Sequence, residues 1–138
     1  MSQENKEVMY RWFDEVWNKG DASVINELLD ADGVIHGLSD ASGNQVTGIE
    51  AFREFHTQFR NAFPDMKIEI EDCIAEGDKV VARCNVRARH SGQLVNVAPT
   101  NAEIEFTGIA IIRVANGRIT EAWNNFDFLQ MNKQLGVL

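Results

Sequence analysis

The chain has no apolar run approaching the roughly 18 residues that a membrane-crossing helix needs, and it is poor in cysteine, proline, histidine and basic charge. Each scarcity excludes something. The two cysteines, Cys73 and Cys84, fall in strand-like runs without CxxC spacing, which predicts buried thiols and argues against a disulfide or a metal pair. The three histidines, His36, His56 and His90, have neither HxH nor HxxxH spacing, so no metal is expected. With two prolines and no Pro/Gly/Ser-rich tract, nothing marks a boundary, and residues 1–138 are expected to form one domain. Thirteen Lys and Arg against 21 Asp and Glu give a net charge of −8, which repels phosphate backbones and anionic lipid headgroups. Nucleic acid and membrane are therefore not expected as partners. No glycine-rich phosphate loop occurs, and no cofactor is expected. The first residues, MSQENKEVMYRW, lack a basic segment followed by an apolar run, which points to a cytoplasmic protein.

What is present is an ordinary globular composition, 44% hydrophobic and 25% charged, with helical patterns gathered before strand patterns. Val8, Trp12, Phe13, Val16 and Trp17 recur at helical spacing up to Lys19-Gly20. Asp21 is placed to cap a second helix carrying Val24, Ile25, Leu28 and Leu29. Asp32-Gly33 reads as a turn into a short strand around Val34-Ile35-His36. Thr47-Gly48-Ile49-Glu50 has the form of a capping box, opening a third helix with Phe52, His56, Phe59 and Phe63 as its stripe. Pro64-Asp65 should end that helix.

Four strand-like runs follow, at about 67–74, 79–90, 103–114 and 118–126, joined by Glu76-Gly77-Asp78, by one longer loop and by the hairpin signal Asn116-Gly117. This predicts an antiparallel meander whose one face is covered by the helices, an α+β arrangement. Alternation assigns Val80, Ala82, Cys84, Val86, Ala88 and His90 to the covered face, with Arg83, Asn85, Arg87 and Arg89 outward. Ile104, Phe106, Gly108, Ala110 and Ile112 should also face the helices, as should Thr120, Ala122, Asn124 and Phe126. Ile109, Ile111, Ile119, Glu121, Trp123 and Asn125 should look outward. The covered face is rich in Ala and Gly, which needs either closely approaching helices or a cavity. The alternatives are a plain core and a ligand pocket walled by Phe13, Trp17, Phe52, Phe59 and Phe106.

Several stretches resemble the SnoaL-like polyketide cyclase family of the nuclear transport factor 2-like superfamily: GIEAFREFHTQFRNAFPDM (48–66), EGDKVVARCNVRARHSG (76–92), APTN (98–101) and RVANGRITEAWNNFDFLQMNKQLG (113–136). The resemblance implies a cone-shaped sheet curved around N-terminal helices, an apolar pocket open at one end, and often a homodimer through the outer sheet face. It also implies intramolecular aldol ring closure without cofactor, with a pocket Asp as acid/base. Asn124 stands at the matching position. An amide has no proton to exchange near neutral pH, so it cannot be the general base. Positions of further polar helpers match Gly108, Ala110 and Ala122, whereas His36 matches a polar pocket residue and His90 lies in the family-like segment Ala88-Arg89-His90-Ser91-Gly92.

Two classes of function stand side by side. One is a cofactor-independent cyclase, isomerase or hydrolase for a small apolar carbonyl compound or ester, with His36, His56 or Asp127 as acid/base and Asn124 as an anchor. The other is a non-catalytic module binding a small apolar molecule in the same pocket. Asp127 also has a plain alternative as the N-cap of a terminal helix ending at Gly136, and His56 one as a satisfied core histidine. Tyr10, the only phenol, falls outside the first helix's apolar stripe, which weakens an oxyanion hole built on tyrosine. The wall residues Phe13, Trp17, Phe52, Phe59, His90, Phe106, Ala110 and Ala122 are the expected ligand contacts.

Overall fold

The structure, a computed structural model, describes residues 2–40 and 43–137. Helix α1 (Ser2–Arg11) runs into a π-helical segment (Trp12–Asn18), followed by α2 (Ser23–Leu28), β1 (Leu29–His36) and α3 (Ile49–Ala62). Strands β2 (Lys67–Glu76), β3 (Lys79–Arg89), β4 (Glu103–Ala115) and β5 (Arg118–Phe126) follow, and α4 (Phe128–Leu135) closes the chain. The curled sheet has the order β1-β5-β4-β3-β2 and wraps the N-terminal helices, as expected for an α+β cone.

The meander is antiparallel from β2 through β5, and its strands lie within two residues of the expected ranges. Asn116 and Gly117 both have positive φ, 53° and 76°, as the tight hairpin requires. On β3 and β4 the inward residues, among them Val80, Ala82, Cys84, Val86, Phe106, Ala110 and Ile112, are buried. Outward, Arg83 pairs with Asp72, Arg87 with Glu69 and Arg89 with Glu103 across strands, and Arg113 pairs with Asp78 in the turn between β2 and β3. Among the described residues no helix is long and apolar enough to cross a membrane.

Several local expectations are corrected. Leu29 opens β1 instead of extending α2, and Asp32-Gly33 lies inside that strand at an irregularity between Leu29 and Val34. β1 pairs parallel with β5, so the sheet is mixed. Helix α3 begins after Gly48 without any side-chain cap, so Thr47 and Glu50 do not form the capping box. Ile119 points inward and is 1% exposed, because the register slips between Arg113 and Val114 and a bulge inverts the parity before Thr120. Cys73 is only half-buried; Cys84 is fully buried, and burial pushes its thiol pKa up to about 12.

The first apolar stripe reads as α-helix, yet its second half widens into π turns: the Lys19 N–H donates to the Asp14 carbonyl, five residues back, at 2.9 Å. Trp12, Phe13, Val16 and Trp17 are all buried there. Asn18 then ties the segment to β2, its amide donating to Ile68 O at 2.9 Å and accepting the Ile68 N–H at 2.6 Å. Against this layer α3 packs Phe52 and Phe55, each worth about 2 kcal/mol on burial.

Candidate functional site

Between the helices and the sheet lies a cavity of about 70 Å³. Trp12, Phe13 and Trp17 come from the π segment, Phe52, Phe55 and Phe59 from α3, and Leu38 from the loop after β1. The sheet supplies Ile35, Phe106, Ala110, Ile119, Ala122, Asn124 and Phe126, and α4 supplies Phe128. Phe59, Ala122, Asn124, Phe126 and Phe128 are half-buried and mark the end at which the cavity approaches solvent. Small residues on β4 make the room: Ala110 is the cross-strand partner of Asn124, and Gly108 that of Phe126. A Cβ at Gly108 would fall 2.2 Å from the Phe126 ring, so only glycine lets that ring lie across the strand.

Asn124 supplies the one side-chain oxygen among the lining residues. Its Nδ2 donates to the His36 carbonyl at 3.0 Å, across a sequence separation of 88. Gly37 permits this approach: its φ is +87°, and a Cβ there would lie 1.9 Å from the Asn124 carbonyl oxygen. No residue with a side chain fits.

The other polar candidates stand outside the lining. His36 is on the outer sheet face, its ring stacked on Trp123 at 5.7 Å and its Nε2 2.8 Å from Glu121 Oε2. His56 is one layer behind the cavity wall, against Trp17 at 4.9 Å, and its Nε2–H donates to the Val16 carbonyl at 2.6 Å. Val16 lies in the last turn of its segment, where carbonyls lack helical partners, so the imidazole satisfies one of them. Burial holds the His56 pKa below the usual histidine value, the Val16 hydrogen bond opposing and Arg60 and Arg53 adding to the depression. His90 is fully buried against Phe63; its Nδ1 accepts the Thr100 N–H at 3.2 Å, which puts the proton on Nε2. Burial lowers its pKa as well. Asp127 caps α4, accepting the Gln130 N–H at 3.0 Å, and borders a shallow groove with Arg83, Ile109 and Leu129.

Thus Phe13, Trp17, Phe52, Phe59, Phe106, Ala110, Ala122 and Asn124 are brought together, and His36, His56, His90 and Asp127 are not. Phe55, Phe126, Phe128 and Gly37 join the site without having been singled out as contacts. The parity of β5 carried a signal for Phe126, which shares its face with Asn124. Among the described residues no group of three or more His, Cys, Asp or Glu side chains is placed to hold a metal.

A curled sheet closed over helices around an aromatic cavity is the α+β cone of nuclear transport factor 2-like proteins. The chain belongs to the SnoaL-like polyketide cyclase family, whose model matches residues 7–135. Among solved structures it is similar to IdmH, a candidate polyketide cyclase from Streptomyces antibioticus, at 33% identity and TM-score 0.81, covering 96% of this chain and 99% of that one. A candidate polyketide cyclase from Bacillus cereus is 28% identical with TM-score 0.82, covering 98% of this chain and 82% of that one. AclR, a candidate hydroxylase from Streptomyces galilaeus, is 26% identical with TM-score 0.86, covering 100% and 84%. No curated protein matches the chain.

Proposed function

We propose that the protein takes a small apolar carbonyl compound or ester into this cavity and acts on it as a cofactor-independent cyclase- or isomerase-type enzyme, with Asn124 anchoring a substrate oxygen. The supporting observation is that the side-chain oxygen among the cavity's lining residues belongs to Asn124, the position at which the family resemblance expects an acid/base carboxylate. An amide cannot exchange a proton near neutral pH. Rate enhancement in this reading comes from folding the substrate into a reactive conformer. The same lining favours a second reading, a binding module without turnover, since it holds neither carboxylate nor imidazole. Activity is sought with a panel of enolisable ketones and esters on wild type, Asn124→Leu and Asp127→Asn. Turnover by wild type and Asp127→Asn, cut roughly 10- to 100-fold in Asn124→Leu, supports the enzyme. Binding without turnover leaves the module, and loss of turnover in Asp127→Asn at unchanged thermal stability overturns the assignment of roles.

A homodimer through the outer sheet face belongs to the same proposal. Ile109, 45% exposed, lies there with Ile111 and Trp123 among paired Arg and Glu side chains, a mixture suited to a self-complementary patch. Sedimentation at micromolar concentration should give a dimer that Ile109→Arg dissociates; a wild-type monomer would refute it.

A further inference from the structure

We infer that the cavity selects its ligand through Asn124 Oδ1 and takes a small ring that carries a hydroxyl donor, a phenol or the enol of a carbonyl compound. The inference rests on the pocket reading above and gives it a substrate class.

The amide orientation carries the argument. The His36 carbonyl only accepts, so the atom 3.0 Å from it must be the Asn124 nitrogen; a flipped amide would set two oxygens against each other. That carbonyl cannot retreat. His36 is held in register with Trp123 on β5, and Gly37 lies so close to Asn124 that a Cβ would overlap its main chain. The nitrogen is thereby committed to β1. Oδ1 receives no hydrogen bond among the described residues, and it is the polar atom that the side chain leaves free. An acceptor fixed in an aromatic cavity favours a ligand O–H, because a ligand without a donor would strip Oδ1 of water and return nothing.

Size narrows the class further. A dry cavity of roughly 150 Å³ accommodates benzene. This one, at about 70 Å³, is about half that, so a single ring already has to displace the half-buried Phe126 and Phe128 at the open end, and each further ring needs more repacking. Phe13 and Phe52 offer ring faces and edges to an aromatic or enolic guest. The competing donors in the walls are the second Nδ2 hydrogen of Asn124 and the indole N–H groups of Trp12 and Trp17, which would favour a carbonyl ligand instead.

Three probes of similar size separate these cases: phenol, which donates, toluene, which does neither, and benzaldehyde, which only accepts. Each is titrated into full-length protein, with chemical-shift changes of the amide resonances as readout. Wild type should bind phenol about tenfold more tightly than toluene or benzaldehyde, the worth of one net hydrogen bond. In Asn124→Leu the order should reverse to toluene over phenol. Benzaldehyde above phenol in wild type, or an unchanged phenol-to-toluene ratio in Asn124→Leu, overturns the inference while leaving the pocket intact. If no probe binds wild type, the pocket reading falls, and this inference with it. Should Asn124→Leu fail to fold, the order of the three probes on wild type decides alone.

Discussion

The two faces of β4 and β5 carry opposite chemistries on the same backbone. Inward stand Gly108, Ala110, Ala122 and Asn124, without a single charge. Outward stand Ile109, Arg113, Glu121 and Trp123, where Trp123 is stacked on His36 and approached by Lys79 at 5.6 Å and Arg113 at 6.0 Å. The titratable groups of this region thus face away from the cavity. A charge moved inward would lose its hydration among aromatic walls at a cost of several kcal/mol, whereas an amide costs little once its nitrogen is bonded. The inner face selects by shape and one fixed dipole, and the outer face is a network of solvated charges.

The largest effect should come from breaking the strap that orients that dipole. Gly37→Val places a branched side chain at φ +87°, with its Cβ in the space of the Asn124 carbonyl. Strain and overlap together should cost about 3 kcal/mol, read as a lowered denaturation midpoint at unchanged slope. If Gly37→Val unfolds like wild type, β1 does not hold Asn124 in the way described.

His56 gives the next effect, because it is polar yet buried and stands behind the wall instead of in it. His56→Leu leaves the Val16 carbonyl without its donor and should cost about 2 kcal/mol. Linkage adds a pH signature. The folded pKa values of His56 and His90 are depressed below the unfolded value, so at neutral pH and above neither state is protonated and no penalty exists. As pH falls through the unfolded value, about 6.5, only the unfolded chain takes up these protons, and stability declines until the folded pKa is reached. Thermal scans at pH 7.5 and 5.5 should show this decline, and it should shrink in His56→Gln. An equal decline in both proteins would remove His56 as a cause.

How much of this was legible depended on the range over which each feature is determined. The ranges of β2 to β5, the Asn116-Gly117 turn and the Asp127 cap follow from alternation and from turn chemistry within a few residues. The aromatic wall followed from helical spacing, although the π turns that set its contour did not, since the spacing of Trp12, Phe13, Val16 and Trp17 fits both helix types. Ile119 was misassigned because one extra residue at a bulge inverts parity, and no residue type announced it. The position of His36 depended on the parallel pairing of β1 with β5, and the bond that orients Asn124 spans 88 residues. Local periodicity cannot report either.

Asn124→Asp sharpens the contrast by placing a titratable group on the inner face. Desolvation and the facing His36 carbonyl should both raise the new carboxyl above the ordinary aspartate value of about 3.9. A raised folded pKa means that the variant loses stability as pH rises through the unfolded value, by about 1–2 kcal/mol once the carboxyl is ionised. A carboxyl that titrates by NMR at its ordinary value would mean that the cavity mouth is as wet as the surface.

The smallest effect belongs to the outer pair. His36 and Glu121 keep 40% and 31% of their side-chain surface, and Glu121 also lies 3.9 Å from Arg113, so solvent screening and a substitute partner both dilute the bond. Glu121→Gln should change the unfolding free energy by no more than about 0.5 kcal/mol, with the difference vanishing in molar salt. Because Glu121 and the cavity lie on opposite sides of β5, the phenol-to-toluene preference should also be unchanged. The two readouts test different things: a larger, salt-insensitive loss of stability would show that the pair is buried in an assembly, while an altered ligand preference would show that the outer face communicates with Asn124 through the His36 main chain that both share. Either result would break the separation of the two faces, and the second would make His36 a positioning residue for the site after all.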